Sequence, residues 1–189
     1  MRNLVFFMHA SLDGFVAGPN GEMNWIKVDE AMFDFVATMT AEADTALYGR
    51  ITYEMMQGYW PNAGNKPNAS KHDKEHSAWY NSVSKIVLST SLNEKELTNT
   101  TVISDDLAEK INAIKQQEGK NILIFGSPRA SHSLLKEGLV DEFWIFVNPI
   151  LLGKGIPLFK NIMETTQLKL VETKIFSQGV IALHYETIR

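Results

Sequence analysis

The chain of 189 residues contains no cysteine. That excludes a disulfide framework, a thiolate metal site, a redox Cys-x-x-Cys pair and a cysteine nucleophile. An excess of basic charge is also missing: 18 Lys and Arg stand against 22 Asp and Glu, a net charge of -4. Wholesale nucleic-acid binding wants a basic footprint, so the balance argues against it. A small anion held by a few local cations is still allowed. Long apolar runs are absent. The longest, LVFFM at 4–8 and FWIFV at 143–147, fall far short of the ~20 residues of a spanning helix. Arg2 before the first run hints at a secretory start. The run is too short for one, and Ser11-Leu12-Asp13-Gly14 follows without a processing site. The expectation is a cytoplasmic protein. Internal repeats, linkers and low-complexity tracts are lacking, which predicts one domain over residues 1–189. Neither GxGxxG nor GxxxxGK[ST] occurs, so neither familiar nucleotide-binding fingerprint is available.

What is present is an alternation of strand-like and helix-like apolar periods. Residues 4–9 read as a buried strand. Phe15-Val16-Ala17 follows, and Gly18-Pro19-Asn20-Gly21 is a turn signal. Met32, Phe35, Val36 and Met39 recur at i, i+3, i+4 and i+7, which predicts a helix from Glu30 with one apolar face. Residues 45–48 read as a second strand and 52–57 as a short helix. Residues 58–76 are polar and carry Gly58, Pro61, Gly64 and Pro67, so a long loop is expected there. Residues 85–89 make a third strand. Ser104 or Asp105 can cap a helix with the stripe Leu107, Ile111 and Ile114, and Gly119 ends it. Residues 121–125 and 143–147 make two further strands. Between them Ser127 can cap a helix that has Pro128 at its first position and Gly138 after it. Residues 166–176 and 180–188 flank Ser177-Gln178-Gly179 as a closing hairpin. The pattern predicts an α/β three-layer sandwich with a mixed, mostly parallel central sheet.

Three strand ends open into small polar clusters: Gly49-Arg50-Ile51-Thr52, Ser89-Thr90-Ser91 and Gly126-Ser127-Pro128-Arg129-Ala130-Ser131. In open α/β sheets, ligands bind outside the carboxyl ends of strands. A helix N-terminus offers free N–H groups to phosphate, and Arg50 and Arg129 add forked donors. Three such clusters suit an extended, multiply charged ligand such as a dinucleotide. Taken singly, each also reads as an ordinary turn.

The residues carry a resemblance as well. Ser11-Leu12-Asp13-Gly14-Phe15-Val16-Ala17 with Gly21 and Trp25, Tyr48-Gly49-Arg50-Ile51-Thr52-Tyr53-Glu54, Ile86-Val87-Leu88-Ser89, Ile124-Phe125-Gly126-Ser127, and Val140-Asp141-Glu142 through Asn148-Pro149-Ile150-Leu151-Leu152-Gly153-Lys154-Gly155 occur in that order. Together they resemble the dihydrofolate-reductase-like superfamily, most of all the C-terminal reductase domain of riboflavin-biosynthesis deaminase-reductases. The resemblance spans nearly the whole chain. It implies a dihydrofolate-reductase-like fold, NADPH as hydride donor, a small heterocyclic substrate with a reducible C=N or C=O, and a homodimer. It places Gly49, Arg50 and Thr52 against the adenosine 2′-phosphate and pyrophosphate, and Ser89 and Thr90 on the adenosine side. Gly126, Ser127, Pro128, Arg129, Ala130 and Ser131 come under the pyrophosphate, and Ala10 beside the nicotinamide. Asp13, Trp25, Phe33 and Trp60 are the expected substrate-cleft residues. The absence of cysteine leaves no thiolate ligands for a zinc deaminase site.

Some positions depart from the pattern. Many relatives carry two glycines where this chain has Gly126-Ser127. Aminouracil reductases usually have an acidic residue at the place of Phe125. They also use basic residues on the first helix against a substrate phosphate, whereas residues 29–44 hold five acids and no Lys or Arg. A phosphorylated substrate is then expected to be repelled unless Lys27, Lys154 or Lys160 compensates. Folate reductases instead carry a first-helix carboxylate a few residues after a tryptophan. Trp25 and Glu30 have that spacing, which makes Glu30 the candidate proton donor in an apolar pocket formed with Met32, Phe33 and Trp60. Glu30 equally fits a first-turn acid favoured by the helix dipole. The expected activity is therefore reduction of an aminouracil, with a folate or pteridine reductase as one alternative and a non-catalytic nucleotide-binding module as another. His72-Asp73-Lys74-Glu75-His76 spells HxxEH, but the Lys-rich setting reads as a solvated face rather than a metal site. His9 reads as a satisfied core histidine.

Overall fold

The computed structural model describes residues 1–93, 97–162 and 164–188. The element order is β1 (Leu4–Ser11), β2 (Phe15–Ala17), α1 (Glu30–Ala41), β3 (Ala43–Gly49), α2 (Arg50–Ala63), α3 (Lys71–Ser82), β4 (Ser84–Leu88), β5 (Thr100–Ile103), α4 (Leu107–Lys115), β6 (Asn121–Phe125), α5 (Pro128–Lys136), β7 (Glu142–Asn148), β8 (Ile156–Pro157), β9 (Leu168–Ile175) and β10 (Ile181–Thr187). Eight strands form one sheet in the order β5-β4-β3-β6-β1-β7-β10-β9. Those from β5 to β7 run parallel, and β10 is antiparallel to both β7 and β9. The mixed α/β sandwich is the fold expected from the pattern.

Strand alternation sorts the core into two layers. Leu4, Phe6, Met8 and Ala10 of β1 face Ile111 of α4 and Ala130 and Leu134 of α5. Val5 and Phe7 face the opposite way, toward Met32 and Val36 of α1, Tyr53 of α2 and Tyr80 of α3. Each fully buried side chain of this size contributes about 1.5–3 kcal/mol. At the edge where β1 starts, the Lys115 ammonium lies 2.6 Å from Asp141 Oδ2 and donates to Leu139 O. Asp141 Oδ2 also accepts from the Leu4 N–H at 2.7 Å. One carboxylate thus joins α4, β1 and the start of β7.

Residues 58–76 are not a loop. Helix α2 runs through Gly58 and Pro61 to Ala63, and α3 begins at Lys71. Proline is costly inside a helix, but Pro61 lies in the last turn, and neighbouring groups from α3 satisfy the exposed carbonyls: Ser77 Oγ donates to Trp60 O at 2.7 Å and Asn81 Nδ2 to Pro61 O. Ser70 and Asp73 form a capping box at the start of α3, a legible Ser-x-x-Asp signal. The cap of α4 falls on Asp106, not Ser104 or Asp105; Asp105 pairs with Lys110. The hairpin is present, with the Gly179 N–H donating to Phe176 O.

Candidate functional site

The site follows from which face each strand sends its chain to. After β1 the chain leads to α1, and after β3 to α2, both over the face of Phe7. After β6, which lies between them, it leads to α5 over the other face. Neighbouring loops therefore diverge on both sides of β6, and divergence at strand carboxyl ends opens a crevice.

Two helix N-termini meet there. A Cβ at Gly49, the residue before α2, would lie 3.3 Å from the Ala130 Cβ in the first turn of α5, so glycine permits the approach. The Gly49 N–H donates to Ser127 Oγ at 3.0 Å, and Ser127 Oγ donates to Phe125 O. Ser131 Oγ donates to Gly126 O. Neither α2 nor α5 has a side-chain cap, so their first-turn N–H groups face the crevice without intrahelical partners. Gly126 and Ser127 both have φ 55. A Cβ at Gly126 would meet no atom within 4 Å, so open space lies over it. The serine of the Gly126-Ser127 pair adopts the left-handed backbone that a glycine would take more cheaply, and its hydroxyl bonds offset part of that cost.

Around this centre, Arg129 is exposed. Arg50 is exposed too and engages both Glu54 oxygens, at 2.8 and 3.0 Å. Pro128 occupies the first position of α5 and Thr52 the first turn of α2. Ser89 Oγ accepts from the N–H groups of Ser91 and Leu92, shaping the turn after β4, with Thr90 exposed beside it. Ala10 is buried near the end of β1.

The substrate-side candidates are less uniform. Asp13 accepts from Ser11 Oγ at 2.6 Å and from the Leu152 and Gly153 N–H groups at 3.1 and 2.7 Å. The Ser11 hydroxyl first, then those amides, holds its carboxyl below the usual range. Asp13 thus ties the β1–β2 turn to the 149–155 loop. The Trp25 indole N–H is turned onto Glu22 O. Phe33 stacks on His72 at 4.0 Å, and Trp60 packs tilted against His76 at 4.1 Å. These rings adjoin a groove of about 470 Å³ between α1 and α3, lined in part by Asp34, Lys71, His72, Glu75 and His76. The HxxEH segment thus has its histidines turned toward aromatic neighbours. Burial and the neighbouring His72 push His76 down to about 3.

Glu30 does not occupy the apolar pocket expected for it. It is exposed at the first position of α1. Met32 turns into the core, while Phe33 and Trp60 are taken up by the histidines. The capping carboxylate is Asp29, which accepts from the Met32 N–H and from Ser177 Oγ. Phe125 is equally removed, packed against Phe7 at 5.2 Å and Trp79 at 5.5 Å. Two residues that sequence reasoning leaves outside the candidate site lie at the carboxyl ends of β1 and β7: His9, which reads as a satisfied core histidine, and Asn148. Their side chains approach to 3.4 Å. Their only sequence signal is a polar residue within an apolar strand.

The Bacillus subtilis protein YyaP is 33% identical over 186 residues, 97% of this chain and 94% of its own. A putative riboflavin biosynthesis protein from Shewanella superposes with a TM-score of 0.73 at 23% identity, covering all of both chains. A dihydrofolate reductase from Enterococcus faecalis, complexed with NADP(H), superposes with a TM-score of 0.63 at 17% identity, covering 99% of this chain and 97% of its own. At these identities the structural matches show a shared dihydrofolate-reductase-like fold. Residues 2–182 match the RibD C-terminal domain family, and the chain belongs to that family.

Proposed function

We propose that the protein is an NADPH-dependent reductase that transfers hydride to a C=N or C=O carbon of a small nitrogen heterocycle, in the manner of the aminouracil reductases of riboflavin biosynthesis. The observation that carries this reading is the convergence of the α2 and α5 N-termini across the Gly49–Ala130 approach. Two helix dipoles and their free amides then favour the same multiply charged anion, and the space over Gly126 admits it. NADPH supplies the hydride when bound. The first-turn amides of α2 and α5 bind its pyrophosphate, and Arg50, released from Glu54, takes the 2′-phosphate. Ser127 and Ser131 act indirectly, because their hydroxyls are spent on holding the loop. Ala10 leaves room for the ring at the end of β1.

A pteridine-type substrate is the second reading. It is favoured by the acids at the start of α1, where Asp29 and Glu30 offer nothing to a substrate phosphate and Lys71 is already paired with Asp34 at 2.6 Å. The same family reading carries a homodimer. Edge strand β9 leaves Leu170, Val171 and Ile175 exposed, and a bare apolar edge invites pairing. A sedimentation mass equal to the monomer would overturn the dimer.

The test is fluorescence titration with NADPH, followed by NADPH oxidation with a ribosylated aminouracil phosphate, its dephosphorylated form, dihydrofolate and a simple dihydropterin. Saturable binding well below millimolar and turnover of one compound are expected. Failure to bind NADPH would leave a non-catalytic module.

A further inference from the structure

We infer that His9 is a catalytic residue whose Nε2–H donates a hydrogen bond to an acceptor atom of the bound heterocycle, a carbonyl oxygen or ring nitrogen next to the carbon that takes hydride. The inference rests on the reductase reading and adds the group that polarises the substrate.

The position is set by unequal strand lengths. Strand β6 pairs with β1 only as far as Phe7↔Phe125, and the Gly126 N–H makes the final contact, to Phe7 O. Strand β1 continues alongside β7 to Ser11↔Asn148. His9 therefore has a strand on one side and the crevice on the other. Its ring lies on the α1 face, 5.0 Å from the Phe146 ring and 5.7 Å from that of Phe7.

The tautomer is set by Asn148, which is fully buried. Asn148 Oδ1 accepts from the Lys27 N–H at 2.9 Å. Asn148 Nδ2 lies 3.1 Å from Phe146 O and 3.4 Å from Ala10 O. Three backbone groups thus fix which end of the amide is which. The end facing His9 Nδ1, at 3.4 Å, is the N–H donor. Its two hydrogens are shared among His9 Nδ1 and the Phe146 and Ala10 carbonyls. A proton on Nδ1 would point at an amide nitrogen that has no lone pair to offer, so in the neutral ring the proton sits on Nε2.

His9 Nε2 has no protein partner among the described residues. Nor is the residue sealed from solvent, since His9 is half-buried. A structural histidine has reason to satisfy both nitrogens, because an unmet N–H away from bulk water is costly. Here one nitrogen is held by a fully buried asparagine, and the other meets no protein partner among the described residues, on the stretch of β1 that β6 leaves unpaired. Burial pushes the imidazole down to about 4, with neutral Phe7, Phe146 and Asn148 as its ring and hydrogen-bond contacts. The ring is therefore an uncharged donor at neutral pH. Such a donor stabilises negative charge that develops on the substrate heteroatom as hydride arrives, and it need not give up its proton.

The experiment uses full-length protein with 15N-labelled histidine, and His9→Phe and His9→Gln variants. Long-range 1H–15N correlation, with the His9 signal assigned from its loss in His9→Gln, should show the Nε2–H tautomer. It should also show a shifted Nε2 signal when members of the same compound panel are added to the NADP+ complex. His9→Phe should lower kcat/KM about 100-fold on any compound turned over, with NADPH affinity within twofold of wild type. His9→Gln, which retains a donor, should recover part of the rate. An Nδ1–H tautomer, an unmoved Nε2 signal across the panel, or unchanged kcat/KM in His9→Phe overturns the His9 assignment and leaves the reductase reading standing. Failure of the wild-type protein to bind NADPH overturns that reading, and the role of His9 with it.

Discussion

The Gly49 amide donates to Ser127 Oγ at 3.0 Å, so one hydroxyl holds together the two loops that frame the crevice. Ser127 accepts a left-handed backbone to do this. Replacing it separates the two effects. Ser127→Ala keeps the strained φ and leaves the Gly49 N–H unmet, and should cost about 1–3 kcal/mol in urea unfolding. Ser127→Gly also loses the bond but relaxes the backbone, and should be about 1 kcal/mol less destabilised than the alanine variant. Equal losses would mean that φ carries no strain.

Arg50 is held by Glu54 in an exposed pair, a contact of little worth to stability. Arg50→Ala should therefore leave the melting temperature almost unchanged. It should weaken NADPH by about tenfold or more while barely affecting NADH, which lacks the 2′-phosphate. Glu54→Gln frees the guanidinium and should tighten NADPH. Parallel losses for both dinucleotides would remove Arg50 from the phosphate site.

The buried Lys115–Asp141 pair predicts a different kind of loss. Asp141→Ala strands the Lys115 charge and the Leu4 N–H, and should cost about 3–5 kcal/mol by chemical denaturation. Lys115→Met with Asp141→Ala removes both charges and should recover part of that loss. A double variant as unstable as the single one would show that the pair's backbone bonds, not the stranded charge, set the cost.

Acid should weaken the fold before any carboxylate titrates. His9 and His76 are pushed by burial from 6.5 to about 4 and about 3. Between pH 6.5 and 4 the unfolded chain binds protons that the folded chain refuses, so stability falls as pH falls. Between pH 7 and 5 the loss should be roughly 1–2 kcal/mol per histidine. His76→Phe should flatten the slope of unfolding free energy against pH. An unchanged slope would show that His76 titrates normally.

The fold, and the three strand-end clusters proposed to face the cofactor, were legible because they rest on local rules. Period-2 and period-3.6 apolar patterns assigned most strands and helices. Glycine, serine and proline at strand ends marked the turns, and the resemblance ordered them. The substrate side was not legible in the same way. Glu30 has the spacing of a catalytic acid, yet Asp29 caps α1 and Met32 takes the buried position, so Glu30 is left in water. Residues 58–76 carry the composition of a loop, yet Pro61 falls in the last turn of α2, where the Trp60 and Pro61 carbonyls accept from Ser77 and Asn81 of α3.

Which residues could form elements, and which strand ends suit phosphate, was written in local order along the chain. Where β6 stops short of β1, how Gly49 comes to touch α5, and which way Asn148 turns the His9 ring depend on groups up to 139 positions apart. Packing brings those groups together, and no period or motif within a single segment encodes such a meeting.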